Sequence, residues 1–170
     1  DYQDHLEPVA LDALTRVGGD FYISQSDSWT ELDLPMLEEI DGTFKISDHY
    51  STGIESVSAP NLVSIGDSLY FDWNYQLEDI DMSSLTEIGG QLYLYYDQGL
   101  QNIDFSSLEE VGSNFYLYYA NDLDSASFDA LTDIAGSMTV SYNSSLESFS
   151  AAALDSLGDN LTIQENPDLT

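Results

Sequence analysis

Of the side chains that carry chemistry, only tyrosine and the carboxylates are abundant: 12 tyrosines and 32 aspartates and glutamates, against two cations and no cysteine. Five of the tyrosines keep a common spacing. Tyr70, Tyr93 and Tyr116 are evenly spaced, and Tyr95 and Tyr118 repeat the same interval. Brought onto one surface, such rings make a phenolic platform with hydroxyl rims, suited to sugar rings or to a protein partner at little entropic cost. Stacked aromatics on neighbouring strands also stabilise a sheet by themselves, so a binding face and a scaffold are both open readings. The carboxylates raise two further chemistries, acid–base catalysis and oxygen ligation of calcium. Two histidines, His5 and His49, cannot make a three-histidine zinc site and stand in no serine constellation. Without cysteine there is no thiolate metal site, disulfide scaffold or cysteine nucleophile.

The elements that must position these side chains emerge from self-similarity. A small apolar anchor, followed closely by glycine, recurs at Val17, Ile40, Ile65, Ile88, Val111, Ile134 and Leu157. The interval is constant except between Ile40 and Ile65, where it is longer by two. Leucine stands three before every anchor, from Leu14 to Leu154. Apolar residues stand four and six after it, as in Leu92 and Leu94, and leucine again twelve after, as in Leu77 and Leu100, with Trp29 in the equivalent place. Two apolar residues flanking one outward residue have the period of a β-strand. A second short alternation follows in Leu32/Leu34, Ile80/Met82 and Ile103/Phe105. Between the strands lies a glycine turn such as Gly89-Gly90, where φ > 0 is open to a residue without Cβ. No segment offers the roughly 11 residues of 3.6-residue periodicity that a helix needs. The reading is a single all-β domain over residues 1–170, a parallel β-solenoid of about seven coils of about 23 residues. Leu6, Val9 and Leu11 fall on the columns of a coil without its anchor, so both termini are expected in mid-coil, with strand edges open to end-to-end self-association.

A formal net charge of −30 is self-repulsive and is best tolerated in salt or among divalent cations. The expected setting is extracellular or at the cell surface, saline or calcium-rich. With only Arg16 and Lys45 as cations, nucleic acid and anionic lipid surfaces are repelled. No run of about 18 apolar residues exists, so no membrane insertion is expected.

The pattern Leu-x-x-Ile-Gly-Gly-x-Leu-x-Ile-x-x-Asn-x-x-Leu-x-x-Ile, plainest in Leu85–Ile103 and in Leu62–Ile80 with Asn74, resembles receptor L-domain repeats, relatives of leucine-rich repeats. Such repeats occur in receptor ectodomains, fungal cell-wall proteins and bacterial surface proteins. The resemblance covers essentially the whole chain and implies a right-handed solenoid that binds rather than catalyses. The chain departs from receptor versions in its acidity and its lack of cysteine. Its asparagine column is incomplete, with Asn74, Asn143 and Asn166 in place but Asp97 and Ala120 not.

Several columns remain to be placed. Trp73, Tyr96, Tyr119 and Tyr142, eight after their anchors, share the parity of the inward columns and are expected at a core corner. Asp33, Asp81 and Asp104 project from the second strand, and Glu39, Glu87, Glu110 and Asp133 precede anchors. No Asp-x-Asp-x-Asp-Gly loop occurs, so weak Ca²⁺ association with the acidic columns is expected rather than a resident cofactor. Solenoid enzymes acting on acidic polysaccharides need cations and long loop insertions. Here only one coil is longer, through Asp48-His49-Tyr50-Ser51-Thr52-Gly53, and no enzyme is expected. Two Asn-x-Ser/Thr sequons, at Asn143 and Asn160, match chance frequency. The functional expectation is a surface adhesin or ligand-binding module using Tyr70, Tyr93, Tyr95, Tyr116 and Tyr118 on a glycan or protein. The alternative is a structural spacer or fibre subunit.

Overall fold

The structure is a computed structural model that describes residues 10–26, 28–50 and 52–170. Twenty short strands and no helix make up the regular structure of the described residues. Each coil passes through three faces in turn. The first face carries two-residue strands that end at the anchors: β1 (Arg16–Val17), β4 (Glu39–Ile40), β7 (Ser64–Ile65), β10 (Glu87–Ile88), β13 (Glu110–Val111), β16 (Asp133–Ile134) and β19 (Ser156–Leu157). The second carries the longest strands: β2 (Phe21–Ser24), β5 (Phe44–His49), β8 (Leu69–Asn74), β11 (Leu92–Tyr95), β14 (Phe115–Tyr118), β17 (Met138–Ser141) and β20 (Leu161–Gln164). On the third lie β3 (Glu31–Asp33), β6 (Ser56–Ser58), β9 (Asp79–Asp81), β12 (Asn102–Asp104), β15 (Ser125–Ser127) and β18 (Ser148–Ser150).

Strands pair only in parallel, each with its counterpart one coil on. The first and second faces are seven-stranded sheets, while the third divides into β12-β9-β6-β3 and β15-β18. The chain is therefore a parallel β-solenoid of about six complete turns. Registers such as Leu92↔Phe115 and Ile88↔Val111 step by one repeat interval. The step is longer by two where Ile40 meets Ile65 and Phe44 meets Leu69. His49 still pairs with Asn74, and Ile54 is fully buried among the leucines that stand twelve after other anchors, so the two extra residues lie between His49 and Ile54. Ser51 of that insertion, and Leu6, Val9 and His5, lie outside the described residues.

The interior is one continuous apolar cluster running through the coils, from Leu32 to Leu146 among its buried members. Each column stacks like on like, for instance Phe21 on Phe44 with ring centroids 5.0 Å apart. Burying each leucine or phenylalanine contributes roughly 1.5–3 kcal/mol, which short strands could not secure by hydrogen bonding alone. The turn glycines serve close approach rather than unusual dihedrals: among described residues the one glycine with positive φ is Gly53, not Gly89 or Gly90. A Cβ on Gly89 or Gly112 would stand 2.4 or 2.1 Å from a carbonyl oxygen of the preceding coil. At the last coil the inward columns are uncovered, leaving Leu161 and Ile163 58% and 49% exposed.

Candidate aromatic binding face

The five tyrosines do share a surface. Tyr70, Tyr93 and Tyr116 are directly paired neighbours on β8, β11 and β14, and Tyr95 pairs with Tyr118. Their partners in alternation, Leu92, Leu94, Phe115 and Leu117, are fully buried or nearly so, which turns all five rings outward. None of the five is fully exposed, because the rings cover one another. Tyr93 meets Tyr116 at 5.6 Å and 84°, and Tyr95 meets Tyr118 at 6.0 Å and 81°. Edge-to-face contacts of this kind satisfy the ring quadrupoles. Burial pushes the Tyr93 phenol up to about 12, so its hydroxyl stays un-ionised throughout the neutral range.

Beside these rows runs a second aromatic ladder that parity arguments misplace. Trp73, Tyr96, Tyr119 and Tyr142 do not enter the core; Tyr142 is 39% exposed and the other three are half-buried. Their rings stack face to face along the solenoid, with centroids 4.2, 4.3 and 5.0 Å apart. The cause is backbone conformation. Every residue eight after an anchor is left-handed, with φ from 53° at Gln25 and Glu165 to 67° at Asp48. That conformation costs an L-residue roughly 1–2 kcal/mol, and the strand alternation is interrupted, so this side chain swings out. The next one turns in. A signal is present in the sequence: Gln25, Asp48 and Glu165 occupy the same column and are poor candidates for an apolar interior.

The two ladders are continuous. Trp73 contacts Tyr95 at 5.7 Å, and Tyr50 and Tyr75 join Trp73 at 6.0 and 6.2 Å. Among the described residues, ten tyrosines thus belong to one wall centred on coils three to five, and Tyr22 stands apart from it. Polar residues bound it. Lys45 stands in the column of Tyr70, with Nζ 5.5 Å from that ring's centroid and 3.1 Å from Asp72 Oδ2. Burial raises the Asp72 carboxyl above its ordinary range, against the opposing pull of Lys45. The Gln91 amide donates to the Tyr70 hydroxyl. A shallow hollow of about 300 Å³ opens beside Lys45, lined by Tyr22, Ile23, Ser24, Lys45, Ser47 and Asp48.

Behind the wall, the inward-turning column forms a polar ladder inside the core. Asn143 Oδ1 accepts the Ala120 N–H at 3.0 Å, while its Nδ2 donates to the Leu117 carbonyl at 3.1 Å. Asn166 repeats both contacts on Asn143 and Val140. Asp97 fills the rung after Asn74 and accepts both its N–H and its Nδ2, each at 2.9 Å. Its Oδ2, where the asparagine rungs carry a donor nitrogen, is buried with no hydrogen-bond partner. Burial pushes this carboxyl up to about 8, so at pH 7 it is largely a neutral acid.

The acidic columns lie on the other two faces. Glu87, Glu110 and Asp133 are directly paired, whereas Ser64 separates Glu39 from them and Ser58 separates Asp33 from Asp81. Asp81 and Asp104 also close local turns by accepting the N–H of Ser83 and Ser106. Among the described residues, no group of three or more His, Asp or Glu is placed to hold a metal ion. No family model, curated protein or solved structure matches the chain.

Proposed function

We propose that the chain is a non-enzymatic, extracellular repeat segment of the receptor L-domain-like, leucine-rich class, acting as a surface adhesin or ligand-binding module through its aromatic wall. One observation carries this reading: among the described residues the outward-turned rings are confined to one face and one corner, although all three faces offer equivalent outward positions. Cross-strand aromatic pairs would stabilise any of the three sheets. Gathering ten tyrosines and a tryptophan into one wall is the distribution expected of a contact surface rich in area and poor in rotamer entropy. The high negative charge fits a saline or calcium-rich exterior.

A structural spacer is the second reading. It is favoured by the mutual coverage of the rings. Paired substitution separates the two. Tyr93→Ala with Tyr116→Ala, screened against a glycan array and a panel of extracellular-matrix proteins, is expected to abolish binding seen with the parent while the far-UV CD spectrum is retained. Unfolding of that variant, or undiminished binding, selects the spacer.

A further inference from the structure

Resting on the reading of the wall as a contact surface, we infer that the wall receives cationic side chains, so that its partner is a lysine- or arginine-rich protein surface and not a neutral glycan. The chain itself shows one such seat filled. Lys45 stands in the outward column of Tyr22, Tyr70, Tyr93 and Tyr116, lays its ammonium over the Tyr70 ring and pairs with Asp72 at the next outward position of β8. A ring face and a carboxylate together form the pair of contacts that a cation gains most from when partly desolvated. Asp72 engages Lys45 through Oδ2, while its Oδ1 is buried and has no hydrogen-bond partner.

The same surroundings extend along the wall. Across strands the pairs Tyr70–Tyr93, Tyr93–Tyr116 and Tyr95–Tyr118 meet edge to face, while along each strand Tyr93 stacks on Tyr95 and Tyr116 on Tyr118 at 5.4 and 5.7 Å, so the rings form one connected quadrupolar surface. The corner ladder ends in carboxylates, Asp48 before Trp73 and Glu165 after Tyr142 in the same left-handed column. Negative ring faces bounded by negative side chains, on a chain with 32 acids and two cations, attract a basic surface and repel an acidic one. A neutral sugar would gain nothing from this field. Lys45 then acts as an intramolecular competitor for the seat it fills.

That competition gives a test independent of damage to the wall. The probe is an octapeptide of alternating lysine and glycine, with its glutamine-for-lysine counterpart and cello- and chito-oligosaccharides as neutral controls, titrated by fluorescence anisotropy at low and at moderate NaCl. Lys45→Ala vacates the seat, and Arg16→Ala makes the same change of net charge on the first face, where Arg16 pairs with Glu39 and Asp41. Lys45→Ala is expected to tighten peptide binding by about threefold, the scale of one cation–π seat, and Arg16→Ala to leave it unchanged. Tyr93→Leu with Tyr116→Leu, which keeps apolar bulk without the ring quadrupole, is expected to weaken it by about tenfold. Equal effects of Lys45→Ala and Arg16→Ala would mean bulk charge attraction and overturn the inference. Oligosaccharide binding that needs Tyr93 and Tyr116, with the peptide indifferent to them, overturns the cationic partner but leaves the wall a contact surface. Indifference of both probes to the tyrosines removes both.

Discussion

Residues eight and nine positions after each anchor are neighbours in the chain and end on opposite sides of the sheet. The first column stacks Trp73, Tyr96, Tyr119 and Tyr142 outside; the second buries Asn74, Asp97, Ala120 and Asn143 inside. One left-handed residue per coil creates both. The outer ladder is made of contacts that water tolerates when they are lost, so it can end in Asp48 and Glu165 without penalty to the core. The inner ladder exists because the coil's bend takes N–H groups such as that of Ala120 out of the sheets, and those groups must find partners in a place without water. The lesson concerns tolerance. A change in the outer column alters only which ring contacts are made, whereas one residue later a change such as Asp97 or Ala120 alters which backbone groups of the neighbouring coil have a side-chain partner.

Removing an inner rung should break this contrast most severely. Asn143→Ala orphans the Ala120 N–H and removes the side-chain donor to the Leu117 carbonyl of β14. At about 1–3 kcal/mol for a buried unsatisfied group, urea denaturation should show a loss of roughly that size. A loss no larger than that of a surface substitution would mean water reaches the ladder.

Asp97→Asn should act in the opposite direction and depend on pH. With the folded carboxyl pushed up to about 8, the native state holds a proton that the unfolded chain releases. Native stability attributable to this group is therefore complete below the unfolded carboxylate range, near pH 4, and is lost as pH rises through about 8. The asparagine variant escapes that loss and keeps a donor nitrogen at the Oδ2 position at every pH. Its advantage over the parent, measured by denaturant midpoints at pH 5, 7 and 9, should grow with pH and then level off. An advantage that is constant with pH would show that Asp97 is not protonated in the fold.

The smallest effect lies on the outer ladder. Tyr96 stacks between Trp73 and Tyr119 at φ 60°. Replacing it with alanine keeps the left-handed strain, while glycine relieves it. Tyr96→Gly should thus be more stable than Tyr96→Ala by about 1 kcal/mol, the reverse of the order in an ordinary strand. The usual order would mean that the column gives up its left-handed conformation once the ring is gone.

Much of the architecture is legible in the sequence because it rests on repetition. The anchors, the leucines three before them and the strand residues at four and six after are apolar in every coil, and a column of that kind has only one place to go. Tyr93 and Tyr95 are set outward for the same reason, by alternation with Leu92 and Leu94. Alternation stops being informative where the backbone leaves the β region, and that is why parity assigns Trp73 and Tyr96 to the wrong side. Glycine is also misleading: Gly89 and Gly90 suggest a positive-φ turn, whereas it is Asp48, Trp73 and their equivalents that adopt it, and Gly89 is needed for the approach of the coil before. The seat formed by Lys45, Tyr70 and Asp72 depends on a register across the one longer coil and on side-chain reach, neither of which a column count supplies.

The constant register has a consequence for how such a chain can change over generations. Because Ile88 stands on Val111 as Ile65 stands beneath Ile88, the segment from Gly89 to Val111 is a complete unit. Duplicating it in frame would insert one more layer of every ladder and ask for no new kind of contact; excising it would close the rod on itself just as well. Each event changes the length by about 4.8 Å. A slip of any other size would set every later column against the wrong neighbour, and the two extra residues of coil two are accommodated only because they bulge between His49 and Ile54, where no strand is interrupted. Length is therefore a heritable quantity counted in whole coils, and the span of the aromatic wall with it, so that relatives of this chain should differ in reach by integer steps.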